Sequence, residues 1–399
     1  MLARVGKDRE NANSLGLKAV CGFERSSNEF RGFTMQVGIV GLSVTGKTSV
    51  FNAVSGGSAQ VGGFSGSEAN IAVVPVPDER QSWLSELYKP KKTTFATVEL
   101  VDVAGVQAGQ AKEGGFSPAM MQNLRQVDAL VHVVRAFDNP SVPHPEGSVD
   151  ACRDAELFEL ELIIADLGVV EKRLEKIDAE IGRKKGPEKQ ALEQEKELLA
   201  KFKDQLTSEK PLRTVELSDE EQKLIRGYTF LSQKPMLIVA NIDESDIGKD
   251  KIEKLAKLQS FADSKGIPVL TFCAKTEMEI AQLDEADRAE FMTALGIVES
   301  GREKLIKASY QLLKLIAFFT VGEDEVKAWT ITKGTPAQEA ARKIHSDIAR
   351  GFIRAEVAPY ESIRTLGTWN NAKDKGQVRL EGKEYPVADG DCINFRFAV

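Results

Sequence analysis

From Met35 onward, short apolar runs alternate with amphipathic stretches. Gln36 to Val40 is a five-residue run closed by Gly41, and comparable runs occupy Thr97 to Val101, Ala129 to Val134, Met236 to Ala240 and Val269 to Phe272. Runs this short, rich in β-branched residues and bounded by turn residues, suit strands buried on both faces. Helical stretches separate them, so the pattern predicts a mostly parallel α/β sheet covered by helices on both sides.

About 100 residues lie between the third and fourth runs, too many for a simple crossover. Within them Leu160, Ile163, Leu167, Val170, Leu174, Ile177 and Ile181 recur at spacings of three and four, a heptad seam. Gly182 to Pro187 interrupts it, and Leu192, Leu199, Phe202 and Leu206 resume it with Glu195 at the skipped position. Two such helices joined by a Gly/Pro turn predict an antiparallel hairpin projecting about 30 Å from the sheet, at about 1.5 Å per residue. Beyond it, Lys327 to Ile331 reads as a strand and Pro336 to Ile344 as a helix, with Thr335 as its cap and Pro336 at its first position. Val378 to Leu380 and Cys392 to Phe397 read as late strands of a small mixed α/β unit.

Composition narrows the class. Of 399 residues, 42% are hydrophobic and 28% charged, which excludes a disordered or collagen-like chain. No apolar stretch reaches the roughly 18 residues of a membrane span, so no membrane association is expected. A net charge of −7 leaves no whole-protein basic field for nucleic acid, so DNA is not expected as a partner and any RNA contact must use a local patch. The candidate patches are Lys184 with Lys185 at the hairpin tip, and Lys89, Lys91 and Lys92. Four scattered cysteines, Cys21, Cys152, Cys273 and Cys392, read as reduced cytosolic thiols. Residues 1–34 are polar and aperiodic, with acids that argue against a leader peptide. They are read as a disordered arm, or as a start placed too early, with Met35 the first residue.

The chemistry is concentrated in Gly41-Leu-Ser43-Val44-Thr45-Gly46-Lys47-Thr48, a match to G-x-x-x-x-G-K-[ST]. Its glycines let successive N–H groups face a phosphate chain, Lys47 reaches the β and γ oxygens, and the Thr48 hydroxyl ligates Mg²⁺. The helix that follows, opening on Ser49, presents its positive end to the anion. Asp102 at a strand tip, followed by Gly105, suits a partner of the Mg²⁺-bound water and a γ-phosphate sensor. Asn241-Ile242-Asp-Glu244 and Cys273-Ala274-Lys275 follow the last two strands, where base-reading loops of such sheets lie. Glu244 replaces the aspartate that reads guanine, and Ile242 the lysine before it, which favours ATP.

These residues resemble the YchF, or Obg-like, ATPase family, from about Gln36 to Val399. The resemblance is carried by the phosphate loop, Ala72 to Arg80, His132 to Arg135, Asn241 to Glu244, Lys327 to Ile331 and Gly351 to Glu356. It implies a P-loop, GTPase-type α/β domain over residues 35–150 and 211–315, an inserted coiled-coil helical hairpin over 151–210, and a C-terminal β-grasp, TGS-like domain over 316–399. It further implies a slow, cytoplasmic, monomeric ATPase with Mg²⁺, binding the large (50S) ribosomal subunit and its rRNA through the hairpin tip or the TGS-like domain, and modulating translation or a stress response. A GTPase of the same fold, or a ribosome-docking scaffold without hydrolysis, are the alternatives.

The chain departs from the family pattern at Ser43, Val44, Thr45 and Thr48. Gly66 replaces the threonine expected to ligate Mg²⁺, leaving Ser65 or Ser67 as substitutes. Val106 stands where other GTPases carry a water-positioning glutamine, with Gln107 one place late. The resemblance offers His144 as the catalytic group that positions water. A solvated loop histidine between prolines is an equal reading.

Overall fold

The computed structural model describes residues 35–57, 70–103, 116–249 and 251–398, the side chain of Glu285 excepted. Residues 1–34, 58–69 and 104–115 lie outside them, and with these the readings of Gly66, Ser65, Ser67, Gly105, Val106 and Gln107. The described residues belong to one compact unit, Thr34–Val399.

The first sheet has strand order β2-β4-β1-β5-β6-β7, formed by Asn70–Pro75, Thr97–Asp102, Gln36–Val40, Ala129–Ala136, Met236–Ile242 and Val269–Phe272. Only β2 runs antiparallel, against β4; the other pairings are parallel. Every residue of β5 and β6 is buried, as expected of central strands covered on both sides. β6 runs two residues past its expected end because pairing with β5 continues to Ala136 opposite Ile242.

Covering helices start where local chemistry provides for their free N–H groups. After α1 (Lys47–Ser55) and α2 (Glu79–Tyr88) comes α3 (Pro118–Gln126). Ser117 caps α3 by accepting from Met120 N–H, with Pro118 in the first turn. Asp150 caps α4 (Ala151–Ile181) by accepting from Cys152 and Arg153.

α4 and α5 (Pro187–Thr207) form the expected helix pair, with Gly182 to Gly186 as the turn. Ile163, Val170, Leu199, Phe202 and Leu206 are buried together in their interface. The skipped seam position is explained: Glu195 receives Arg173 Nε at 2.8 Å and the Tyr228 hydroxyl, so a bridged carboxylate stands where an apolar residue would pack. Asp166 of α4 accepts from the Leu231 and Ser232 N–H groups, and Arg213 donates to Glu159 at 2.6 Å. Those buried contacts fasten the pair's base to the segment entering β6. The short α6 (Asp219–Ile225) precedes β6, and α7 (Ala256–Lys265) leads into β7.

The second sheet has order β11-β10-β12-β8-β9-β3. Its strands are Arg379–Glu381, Phe352–Pro359, Asp391–Phe397, Leu315–Val321, Glu325–Thr332 and Lys92–Thr94. The late strands fall as expected within one residue. The helix read from Pro336 begins at Ala337 instead: Pro336 is the cap, and the Thr335 hydroxyl donates to Thr332 carbonyl at 2.6 Å. No sequence pattern marks β3, an early segment that pairs with β9 and so lends a strand to the later sheet. Phe319, Ala358 and Cys392 of that sheet share a core with Val37, Val131 and Val133 of the first.

Candidate functional site

At the carboxyl end of β1 the chain turns sharply. Gly41 adopts φ 145°, and a side chain there would meet the Val133 carbonyl at 2.4 Å, so only glycine lets the loop leave so close to β5. Gly46 adopts φ 91° and opens α1. Between them Val44 sits at φ 57°, left-handed and 43% exposed. A β-branched residue is strained there, in a region that asparagine among the non-glycine residues adopts more readily. Thr45 is fully buried, and its hydroxyl donates to the Leu42 carbonyl at 3.1 Å. Ser43 and Ser49 are half-buried on the loop and on the first turn of α1.

Lys47 is buried, its ammonium donating to the Leu42 carbonyl at 2.6 Å. Burial pushes its pKa down to about 8, with Asp102 nearby opposing the shift. Thr48 Oγ1 donates to Asp102 Oδ2 at 3.1 Å. Burial raises the Asp102 pKa, against the hydrogen bond from Thr48, the charge of Lys47 and a hydrogen bond from Asn70. Asn70 carries no motif in the sequence; it reaches Asp102 because the antiparallel register of β2 places the two opposite each other. Lys47, Thr48 and Asp102 thus converge at the ends of β1 and β4, as the motif requires.

The base-loop residues are brought together only in part. Asn241 donates from Nδ2 to the Thr45 carbonyl at 3.1 Å and accepts from the Ala274 N–H at 3.1 Å. Cys273 is buried, caps α8 (Ala274–Gln282) and lies 3.2 Å from the Thr276 hydroxyl. Glu244 is exposed and pairs with Lys275 across 3.0 Å. Ile242 corrects the sequence reading: it is 6% exposed and packs into the core with Val40, Leu42 and Cys273, so it supports the loop from below and is not on its ligand face. That position follows from the extended pairing of β6.

His144 also departs from expectation. Its side chain is 2% exposed, not solvated. Nε2 lies 2.9 Å from Asp154 Oδ2, and Nδ1 accepts from the Glu146 N–H at 3.1 Å. Asp154 in turn receives Arg153 at 2.8 Å. Both ring nitrogens are engaged, which fixes the Nε2–H tautomer and leaves neither nitrogen for water. The preceding loop is held by Arg135, buried at the end of β5, whose guanidinium donates to the Phe137, Asn139 and Val142 carbonyls. That organising role has no sequence signal, because three backbone carbonyls leave no pattern in side chains. His132 is packed into the core: it stacks on Phe158 at 4.2 Å, and burial pushes its pKa down to about 3.

Among the described residues no cluster of three or more His, Cys, Asp or Glu could hold a metal ion unaided, and no helix is long and apolar enough to cross a membrane. The candidate lysine patches are partly spent in exposed ion pairs: Lys184 with Glu188, Lys91 with Asp324 and Lys92 with Glu325.

Comparison with known proteins places this geometry. Residues 36–165 match a family model described as a 50S ribosome-binding GTPase. Residues 315–398 match the model of the YchF-type GTPase C-terminal region, described as a protein of unknown function. The chain is 44% identical over 368 residues to the ribosome-binding ATPase YchF of Bacillus subtilis, covering 92% of this chain and 100% of that one. It is 39% identical over 364 residues to the protein of the same name from Haemophilus influenzae, covering 91% and 99%. The solved structure of the Schizosaccharomyces pombe YchF GTPase superposes with a TM-score of 0.80 at 32% identity, covering 92% of this chain and 98% of that one.

Proposed function

The chain belongs to the YchF family, and from that membership we propose that it is a nucleotide switch that binds ATP, hydrolyses it slowly and associates with ribosomes to modulate translation or a stress response. The observation that carries the reading is Asn241, which ties the phosphate loop to the base loop and so makes one site of two motifs. Glu244 supports adenine over guanine, because its longer, Lys275-paired carboxylate is misplaced for the two N–H groups that guanine presents. A GTP-preferring reading is favoured by the descriptions of the fission-yeast relative and of the matched N-terminal family model, both as GTPases.

The donors fit Mg²⁺. Thr48 Oγ1 and Asp102 Oδ2 are hard oxygen atoms 3.1 Å apart, beside the phosphate loop. Thr48 would ligate the ion, and Asp102 would accept from one of its waters. Bound there, Mg²⁺ neutralises charge on the β and γ oxygens. Lys47 supplies the second positive charge, and the Gly41–Gly46 backbone orients the phosphates. Slow hydrolysis follows from Val106, which has no polar atom for water, and from Gly66, which has no hydroxyl for the ion. Positioning of water by His144 requires the ring to leave Asp154, so a partner-dependent rate is expected.

In this reading residues 35–150 and 211–315 hold nucleotide, 151–210 form a coiled-coil arm, and 316–399 form a TGS-like domain; the protein is cytoplasmic and monomeric, and docks on the large subunit. The onset of β8 at Leu315 and the matched region 315–398 support the last boundary. Competition of ATP, GTP and their diphosphates for the purified protein tests the nucleotide reading, and co-sedimentation with 50S subunits tests the partner.

A further inference from the structure

The opposite end of the first sheet, where its central strands begin, carries a second concave feature. Asp128 and Pro235 immediately precede β5 and β6, and beside them opens a cleft of about 620 Å³. β5 has eight residues, so at about 3.3 Å per residue this cleft lies roughly 26 Å from the nucleotide loops.

Three cations from three separate elements meet there. Arg125 comes from the last turn of α3, Lys223 from the last turn of α6, and Arg226 from the 3-10 turn Arg226–Tyr228. All three side chains are exposed, and among the described residues none forms an ion pair. A fourth cation, Lys234, is occupied: it donates to the Arg125 carbonyl at 3.2 Å and to the Val127 carbonyl, neutralising the end of α3. Two acids line the same cleft. Asp128 is engaged, accepting the Gln36 N–H at 2.8 Å, and Asp219 stands at the start of α6. The floor is apolar, with Ile225 and Phe230 buried.

This differs from the lysine runs that the sequence displays. Lys184, Lys91 and Lys92 are exposed and already face carboxylates. A concave site with unpaired guanidinium groups is better suited to phosphate, because guanidinium is weakly hydrated and binds phosphate oxygens through paired N–H groups. In a protein of net charge −7, two guanidinium groups and the Lys223 ammonium in one cleft make a local exception to a repulsive field.

We propose that this cleft binds the phosphate backbone of RNA, through Arg125, Lys223 and Arg226. The inference deepens the ribosome-associated reading and rests on it only for its setting, since binding to free RNA is measurable without ribosomes.

The test is fluorescence anisotropy of a labelled RNA hairpin with the full chain at about 50 and 200 mM KCl, where each phosphate contact contributes about 0.7–0.9 to the salt slope. Arg125→Gln/Lys223→Gln/Arg226→Gln is expected to weaken binding by about tenfold or more at the lower salt and to reduce the slope by about two. Each single variant should lower the slope by less than one, so the result does not depend on the triple variant alone. ATP affinity should be unchanged, which reports that the fold is intact. Lys184→Gln/Lys185→Gln should keep the wild-type RNA curve. Unchanged affinity and slope in the triple variant would overturn the proposal, as would an equal loss in the lysine variant. Lost ribosome co-sedimentation with unaltered RNA binding would also overturn it, since the cleft would then meet a protein. An ATPase that ignored ribosomes but bound RNA through these residues would leave this inference standing while removing the ribosomal one.

Discussion

Asn241 holds Thr45: its side-chain amide donates to the Thr45 carbonyl at 3.1 Å, linking the end of β6 to the middle of the phosphate loop. The same side chain accepts from Ala274, and a side chain at Gly46 would stand 2.3 Å from its Nδ2. Asn241→Ala leaves a buried carbonyl and a buried N–H unpaired, at a cost of about 1–3 kcal/mol. Calorimetric titration should show ATP and GTP weakened alike, by about tenfold at 1.4 kcal/mol per decade, because the loop rather than the base contact is disturbed. Selective loss of one nucleotide would show that Asn241 reads the base instead.

Base choice should respond to Glu244 and not to Ile242. Ile242 is in the core, so a lysine there buries a charge and costs stability before it touches ligand. Glu244→Asp alone should therefore raise GTP affinity relative to ATP, by several-fold or more given the value of a bidentate contact. Lys275→Ala frees the carboxylate and should move the ratio the same way. Competition against a fluorescent diphosphate reads both; a ratio unmoved by either variant counts against this loop as the selector.

Lys47 gives a pH dependence with a defined sign. Its pKa before nucleotide binds is about 8, below the ordinary 10.5, because burial disfavours the ammonium. Bound phosphate restores the charged form, so binding takes up a proton once pH exceeds about 8. Nucleotide affinity should be level below that pH and fall above it, approaching tenfold per unit. Folding stability of the protein alone should receive the opposite contribution from this group: between about 8 and 10.5 the unfolded chain binds the proton that the native one has released, so the Lys47 contribution rises with pH. Affinity that stays level to about pH 9.5 would mean that Lys47 is charged throughout.

His144 should behave first as a structural residue. His144→Ala removes the partner of a fully buried Asp154, and thermal unfolding should shift down by a few degrees, in line with about 1–3 kcal/mol for an orphaned buried group. The rate of the protein alone should be unchanged, since the ring is engaged with Asp154. A drop in the ribosome-stimulated rate at unchanged ATP affinity would assign it a role in positioning water. An unaltered stimulated rate would leave the residue purely structural.

The strands, the phosphate loop and the helix pair were legible because each is written locally, in runs, spacing or a glycine at a forced turn. Asp102 was legible because a strand tip fixes where its carboxylate points. What escaped depends on tertiary neighbours. The pairing of His144 with Asp154 needs the loop held by Arg135 to fold against the start of α4. The burial of Ile242 depends on how far β6 pairs with β5. The crossing of β3 to β9 spans more than two hundred residues of sequence. The cleft cations come from elements that approach only where the helix pair returns to the sheet, so no run of charge announces them.

The central claim is that this nucleotide site belongs to an ATP-preferring, ribosome-responsive hydrolase. Phosphate release from ATP and from GTP, each with and without 50S subunits, tests it most directly. The account predicts slow release from ATP alone, clear acceleration by the subunit, and little release from GTP in either condition. Fast release without ribosomes, or GTP turned over as readily as ATP, would contradict it.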